Sequence, residues 1–130
     1  MSYHTYPLYG FGLIISDEKE IERLLEINGY TDDYYDYIYD FTADNNGTVI
    51  DEDMDSPSYS PVDIKTGEPE TRIELPYGSL CFYTEKGPRI LNAPYKSLEE
   101  IEKEFRERIE LPEGFSVINH LGYFSATYGS

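Results

Sequence analysis

The chain has 130 residues, 39% of them apolar and 15% aromatic, and a formal net charge of −16. This length fits one compact domain, and such a charge repels nucleic acids and anionic membranes while it attracts basic protein surfaces. Direct binding to nucleic acid or membrane is therefore disfavoured. Cys81 is the only cysteine, which predicts no intramolecular disulfide, and no apolar stretch approaches the roughly 20 residues of a membrane span. We expect a soluble, cytoplasmic protein.

The first 30 residues predict a strand followed by a helix. Residues 11–15 form a continuous apolar run that fits a buried strand, and Ser16 or Asp17 can cap the helix after it. Asn28 and the glycine that follows it end this helix. The apolar residues at helical spacing within residues 17–28 are Ile21, Leu24 and Leu25.

Residues 31–42 are compatible with two secondary structures. Their aromatic residues fit a helical stripe, and they also alternate as on a strand. Aromatic and β-branched residues are enriched here, and Asn46 and Gly47 tolerate the positive φ angles of a tight turn. We therefore predict a β-hairpin that turns at Asn46 and Gly47 and returns through residues 48–50, after at most one helical turn at residues 32–34.

The middle of the chain predicts a loop and then short strands. Residues 53–70 are rich in proline, serine and glycine and poor in aliphatic residues, which is typical of a long acidic surface loop. Loops of this length are usually functional or mobile. Residues 71–75, 79–83 and 89–91 are predicted as strands of one antiparallel sheet.

The last third of the chain contains a second predicted helix and a hairpin. Ser97 and Glu100 form a capping box at the helix start. Residues 115–118 and 123–127 are predicted as two strands joined through residues 119–122. The apolar face of the helix consists of Leu98, Ile101, Phe105 and Ile109.

Together these elements predict a single α+β domain over residues 1–130. The expected architecture is an antiparallel sheet of about five to seven strands with two helices packed on one face, because strands in hairpins form a sheet and amphipathic helices need a sheet to cover. The acidic segments would project from one edge of this sheet.

Acidic residues are concentrated between residues 31 and 70, where twelve carboxylates accompany a single base, Lys65. Carboxylates this close repel one another, and a purely structural segment has little reason to bear that cost. Asp51, Asp53 and Asp55 alternate, so on an extended strand they would project from one side about 6.6 Å apart. Such a row of negative charges is what a phosphate backbone presents.

A basic partner protein could bind this acidic segment. Its lysines and arginines would pair with the carboxylates, and its guanidinium groups would stack on the tyrosines. The alternative is a solvated acidic surface that only keeps the protein soluble. The candidate partner-binding residues are Asp32, Asp33, Asp36, Asp40, Asp44, Asp51, Asp53, Asp55, Tyr34, Tyr35, Tyr37 and Tyr39.

Other chemistry has little support in the sequence. Residues 42–53 overlay an EF-hand calcium loop only in part, since the first and twelfth ligand positions do not match. His4 and His120 lack the cysteine or further histidine that would complete a transition-metal site. Cys81 lies in a predicted strand, where a thiol is usually buried and inert. We therefore predict no catalytic residues, no metal site and no cofactor.

No motif ties the chain to a family, but its profile, small, acidic and rich in aromatic residues, resembles that of phage-encoded inhibitors that mimic nucleic acid against CRISPR or restriction nucleases. We accordingly expect a non-enzymatic acidic inhibitor that binds the basic nucleic-acid-binding groove of a partner protein, such as a CRISPR or restriction nuclease. Two alternatives stay open. One is an immunity or antitoxin-type protein that masks a basic toxin, and the other is a small-molecule or calcium-binding domain.

Overall fold

A computed structural model of the chain describes residues 5–30, 34–66, 68–84 and 97–129. Within these ranges the chain forms six β-strands, three α-helices and one short 3-10 helix. In chain order these elements are β1 (Thr5–Ile15), α1 (Glu18–Ile27), α2 (Tyr34–Asp44), β2 (Gly47–Val49), β3 (Met54–Pro61), β4 (Ile73–Glu74), β5 (Leu80–Tyr83), α3 (Leu98–Arg108), the 3-10 helix (Ile118–His120) and β6 (Leu121–Gly129).

The six strands form one antiparallel sheet in the order β2-β5-β1-β6-β3-β4. Near its centre, β1 pairs with β5, where Leu13 lies opposite Phe82, and with β6, where Phe11 lies opposite Tyr123. The predicted α+β class is confirmed, and the number of strands falls within the range expected for it. None of the helices in the described ranges is long and apolar enough to cross a membrane.

Side chains of β1 alternate between two apolar clusters, since successive residues of a strand point to opposite sides. Phe11, Leu13 and Ile15 belong to the larger cluster, whereas Ile14 belongs to the smaller one. Cys81 of β5 also lies in the smaller cluster. The larger cluster includes buried side chains from all three helices, among them Leu24, Phe41 and Phe105.

The first and last helices begin where the sequence predicts. The Asp17 carboxylate accepts a hydrogen bond from the amide of Lys19 at 3.3 Å, and the Ser97 hydroxyl accepts one from the amide of Glu100 at 3.2 Å. These side chains satisfy amide groups that have no partner inside the helix. The helices predicted within residues 17–28 and after Ser97 are therefore confirmed.

The hairpin predicted around Asn46 is wrong, because residues 34–44 form helix α2 and β2 pairs with β5 instead. Ile38 and Phe41 are buried at helical spacing. The Phe41 ring packs on Phe82 with ring centroids 5.6 Å apart, and on Tyr30 at 5.4 Å. Ile38 and Phe41 thus form a buried helical stripe, and burial against the sheet outweighs the local preference of this segment for extended structure.

The long acidic loop predicted at residues 53–70 is also wrong for residues 54–61. Residues 54–61 form β3, which pairs with β6 and carries a bulge between Asp55 and Ser58. Pro57 lies within this bulge. Proline has no amide hydrogen to donate, but residues in a bulge are not regularly paired, so the proline interrupts no regular strand pairing. A bridge between Val62 and Pro69 then closes a short turn.

The hairpin predicted near the end of the chain is replaced by a compact turn and one long strand. Phe115 stacks on His120 with ring centroids 4.2 Å apart, and Val117 is fully buried. Phe115 and Val117, predicted as part of a strand at residues 115–118, are thus buried without strand pairing. The strands predicted at residues 71–75 and 79–83 exist in shorter form as β4 and β5, and residues 89–91 lie outside the described ranges.

Glycine at position 12 is required by the close pairing of β1 with β5. A Cβ atom there would overlap the backbone carbonyl of Phe82, whereas one at Gly10 would meet ring atoms of Phe124 and Tyr83 at 2.5 Å. Rings can move aside, but a paired backbone cannot do so without loss of the ladder.

We therefore predict that Gly12→Ala lowers the free energy of unfolding by about 3 kcal/mol and Gly10→Ala by about 1 kcal/mol. Urea denaturation followed by far-ultraviolet circular dichroism measures both values. Equal stabilities of the two variants would contradict this description of the sheet centre.

Candidate functional site

An open groove of about 480 Å³ lies between α2, the turn after β2 and the loop before β5. Two tyrosines line it, Tyr39 from α2 and Tyr77 from the loop, and 52% and 56% of their surfaces are exposed. Three consecutive carboxylates from the turn also line it: Asp51, Glu52 and Asp53. We call this feature the acidic groove.

The end of α2 places Tyr39 at the groove. The Thr42 hydroxyl donates to the carbonyl groups of Ile38 at 3.0 Å and Tyr39 at 3.1 Å, so it contacts the backbone of its own helix. Asn46 then has a φ angle of 55°, in the left-handed region that asparagine tolerates better than most residues. This turn ends the helix and directs the chain into β2.

The acidic turn is held by its first aspartate. A carboxylate oxygen of Asp51 accepts a hydrogen bond from the amide of Asp53 at 2.9 Å, and the Asp51 carbonyl accepts one from the amide of Met54 at 3.1 Å. This side-chain turn brings three carboxylates together within one bend. The row of alternating aspartates predicted on an extended strand is therefore wrong, since Asp51 and Asp53 lie in the turn and Asp55 lies in β3.

Hydrogen bonds connect the turn to the opposite wall of the groove. The Tyr77 hydroxyl donates to the carbonyl of Met54 at 3.1 Å. The amide of Gly78 donates to the Ile50 carbonyl at 2.6 Å, and the Ile50 amide donates to the Ser79 carbonyl at 2.9 Å. Gly78 has a φ angle of 92°, which glycine adopts without strain. The two walls are thus fixed relative to each other.

The carboxylates of the acidic groove are not neutralised by the described part of the chain. No lysine, arginine or histidine in the described ranges forms a salt bridge with Asp51, Glu52 or Asp53. Glu52 and Asp53 are exposed, and Asp51 is partly exposed. The groove therefore combines negative charge with exposed aromatic surface, which suits a cation that has a flat or apolar body.

Two other predicted residues of α2, Asp44 and Tyr37, contact Tyr30. A carboxylate oxygen of Asp44 accepts a hydrogen bond from the Tyr30 hydroxyl at 3.1 Å, and the Tyr37 ring lies 5.6 Å from the Tyr30 ring. Burial raises the pKa of Tyr30 above its ordinary value, and the carboxylates of Asp44 and Asp40 raise it further. Asp40 itself is exposed.

The structure brings only part of the predicted partner-binding set together. Three of these residues line the acidic groove: Tyr39, Asp51 and Asp53. Asp40 and Asp44 are exposed on α2 and Asp55 on β3, while Tyr37 is partly buried. Helix α2 also carries Tyr34, Tyr35 and Asp36. Asp32 and Asp33 lie outside the described residues.

Two groove residues, Glu52 and Tyr77, are missing from the predicted set. Glu52 falls off the alternating pattern that selected its neighbours. Tyr77 lies between Pro76 and Gly78, and an aromatic residue flanked by two turn formers is a sign of exposure on a loop. That sign alone could not place Tyr77 beside the acidic turn, because the hydrogen bonds that join the two connect residues more than 20 positions apart in the chain.

The described residues do not support the other chemistries considered from the sequence. Within them, no group of three or more histidine, cysteine or acidic side chains could hold a metal ion. Thr42 lies inside α2, so residues 42–53 do not form a loop of the EF-hand kind. Cys81 is fully buried, and burial raises the pKa of its thiol far above the ordinary value.

No protein-family model, curated protein or solved structure matches this chain. The function of the acidic groove therefore has to be inferred from its own geometry.

Arg108 of α3 anchors the connection between α2 and β2, next to the groove. Its guanidinium donates to the carbonyl of Tyr83 at 2.8 Å and to that of Asn45 at 2.5 Å, and it lies 3.4 Å from the Glu104 carboxylate. It also lies 4.7 Å above the centroid of the Phe105 ring. Burial lowers the pKa of this guanidinium, an effect that Glu104 opposes.

We predict that Arg108→Gln lowers the free energy of unfolding by about 2 kcal/mol, because two carbonyl groups lose a charged donor. Lys103→Gln, at an exposed position of the same helix, is the control and should change stability little. Urea denaturation measures both variants. A stability of Arg108→Gln equal to that of the control would show that the anchor is dispensable.

Proposed function

We propose that this protein is a non-enzymatic acidic inhibitor that binds the basic nucleic-acid-binding groove of a partner protein. The observation that carries this proposal is the acidic groove, where three carboxylates without a basic partner in the described ranges accompany two exposed tyrosines. Arginine side chains fit this combination, because a guanidinium forms paired hydrogen bonds with carboxylates and stacks on aromatic rings.

The shape of the acidic turn supports imitation of phosphate groups. Asp51, Glu52 and Asp53 are consecutive, and the hydrogen bond from the Asp53 amide to the Asp51 carboxylate holds the bend that carries them. A partner that normally binds adjacent phosphates would meet three consecutive carboxylates carried by one hydrogen-bonded bend. Because the turn is fixed before binding, little conformational entropy is lost when the partner docks.

The charge of the whole chain supports rapid association with such a partner. A net charge of −16 creates a long-range field that attracts a basic protein and orients it before contact. Such steering is weakened by salt, since the screening length is about 8 Å at physiological ionic strength. An inhibitor that acts in the cytoplasm would thereby compete with nucleic acid for the partner through fast association as well as through tight binding.

The first test neutralises the acidic turn without changing its shape. The triple variant Asp51→Asn, Glu52→Gln, Asp53→Asn keeps a side-chain oxygen that can accept the Asp53 amide hydrogen bond. We expect affinity for the partner, captured from nuclease-treated host lysate with the tagged protein, to fall by at least about tenfold at low salt. Surface plasmon resonance at two salt concentrations measures it.

The matched control removes the same number of charges from exposed positions on other helices. Glu22, Glu26 and Glu107 are exposed, so their replacement by glutamine changes net charge equally and leaves the groove intact. The control should bind the partner nearly as well as the unmodified protein. An equal loss of affinity in both triple variants would show that net charge alone, and not the groove, governs binding.

Competition with DNA tests what the partner surface normally binds. If the inhibitor occupies a nucleic-acid site, added duplex DNA lowers the amount of partner bound to the immobilised protein, and the loss grows with DNA concentration. A protein that masks a basic toxin elsewhere on its surface would keep its partner. Retention of the partner at saturating DNA would therefore refute mimicry of nucleic acid.

A second pair of variants distinguishes the contribution of the Tyr77 ring to partner binding from that of its hydroxyl. Tyr77→Phe removes the hydrogen bond to Met54 but keeps the aromatic face, whereas Tyr77→Leu removes the ring. We expect Tyr77→Leu to weaken partner binding by about three- to fivefold and Tyr77→Phe to leave it almost unchanged. Equal affinities of the two variants would exclude stacking on this ring.

A further inference from the structure

A second groove, of about 760 Å³, lies on the other side of Tyr77 and crosses β6, β3 and β4. Its lining includes exposed parts of Tyr9, Ile73 and Tyr77, with 39%, 45% and 56% of their surfaces accessible. Arg72 also lines it and supplies its basic group. We call this feature the Arg72 groove.

Two serine hydroxyl groups fix the guanidinium of Arg72. Its Nε donates to the hydroxyl of Ser58 at 2.6 Å, and one of its terminal nitrogens donates to the hydroxyl of Ser125. Ser58 and Ser125 are direct partners across β3 and β6, so the sheet holds both hydroxyl groups in place. The guanidinium plane is thereby set by backbone pairing.

Arg72 keeps its full charge available. No carboxylate in the described ranges forms a salt bridge with it, although the chain has 26 acidic residues and 10 lysines and arginines. Serine hydroxyls accept its hydrogen bonds but neutralise none of its charge. An arginine fixed in this way can bind an anion from outside the described part of the chain.

The chemistry of this array is that of an oxyanion site. A guanidinium has five N–H donors, of which the two serines use two, and each serine that accepts a hydrogen bond can still donate its own hydroxyl hydrogen. We propose that the Arg72 groove binds a small organic oxyanion with an apolar or aromatic body. Arg72, Ser58 and Ser125 hold the charged oxygens, and Tyr9, Ile73 and Tyr77 contact the body.

Glu74 sets the charge that the site accepts. It lines the same groove and lies opposite Ser58 in the pairing of β3 with β4. Arg72 precedes β4 and is two residues from Glu74 in the chain, and both side chains line the groove. Glu74 offsets the charge of Arg72, and the net charge of −16 of the chain repels a dianion about twice as strongly as a monoanion, so a carboxylate monoanion is favoured over a phosphate dianion.

The test titrates the ¹⁵N-labelled protein with phenylacetate, phenyl phosphate or uncharged benzyl alcohol at pH 8, each up to about 10 mM. We expect phenylacetate to shift the signals of the Arg72 Nε–H group and of the Ser125 and Thr127 amides in a saturable way. Phenyl phosphate should shift the same signals with weaker affinity, and benzyl alcohol should shift them least.

Variants decide whether the array causes the binding. Arg72→Gln should weaken phenylacetate binding by about tenfold or more, and Ser125→Ala by a smaller factor. Lys103→Gln removes the same charge from an exposed site on α3 and should leave affinity unchanged. The proposal is overturned by the absence of saturable shifts with either anion, or by equal effects of Arg72→Gln and Lys103→Gln. Tighter binding of phenyl phosphate would overturn the selectivity assigned to Glu74.

Discussion

The close pairing of β1 with its neighbours is the constraint on which both apolar clusters depend. Gly12 lets the backbone of β5 approach, and Gly10 makes room for the rings of Tyr83 and Phe124, whose centroids lie 5.3 Å apart. Because β5 is fixed in this way, the loop just before it is also fixed, and with it Tyr77 and the hydrogen bonds to Met54 and Ile50. The geometry of the acidic groove is therefore a consequence of the sheet centre.

Local patterns predicted those parts of the fold whose boundaries are set by nearby residues. Asp17 and Ser97 cap their helices through side chains two or three residues away, so the start of each helix could be located from sequence. Helix α2 could not, since its tyrosines satisfy two periodicities and only contact with Phe82 of β5 decides between them. Strand β3 was missed for a related reason: its proline and serines are typical of a loop, and its pairing with β6 joins segments more than 60 residues apart.

The same distinction between local and distant contacts explains which residues of the candidate site can be predicted from the sequence. The alternation of acidic residues indicates Asp51 and Asp53, and the density of aromatic residues indicates Tyr39, because both patterns are visible in a short window of sequence. The acidic turn, in contrast, meets Tyr77 through hydrogen bonds between residues distant in the chain, such as that from the Tyr77 hydroxyl to the carbonyl of Met54, 23 residues away. Arg72 is not indicated by any sequence pattern, since one hydroxyl group that it contacts lies 53 residues away. Sequence thus identified the charge of the site and not its shape.

Tyr77 lines both grooves, so the three carboxylates of the acidic groove and the guanidinium of Arg72 belong to neighbouring parts of one surface. Charges separated by no more than about one screening length of 8–10 Å still interact appreciably. A cationic partner bound in the acidic groove would reduce the local negative potential, and an anion would then enter the Arg72 groove against less repulsion. Coupling of this kind is reciprocal, because each ligand must change the affinity of the other by the same factor. The triple variant of Asp51, Glu52 and Asp53 should consequently bind an anion at Arg72 more tightly than the unmodified protein does. The matched triple variant of Glu22, Glu26 and Glu107 should give a smaller gain in anion affinity, because it lowers the net charge equally but leaves the acidic turn charged.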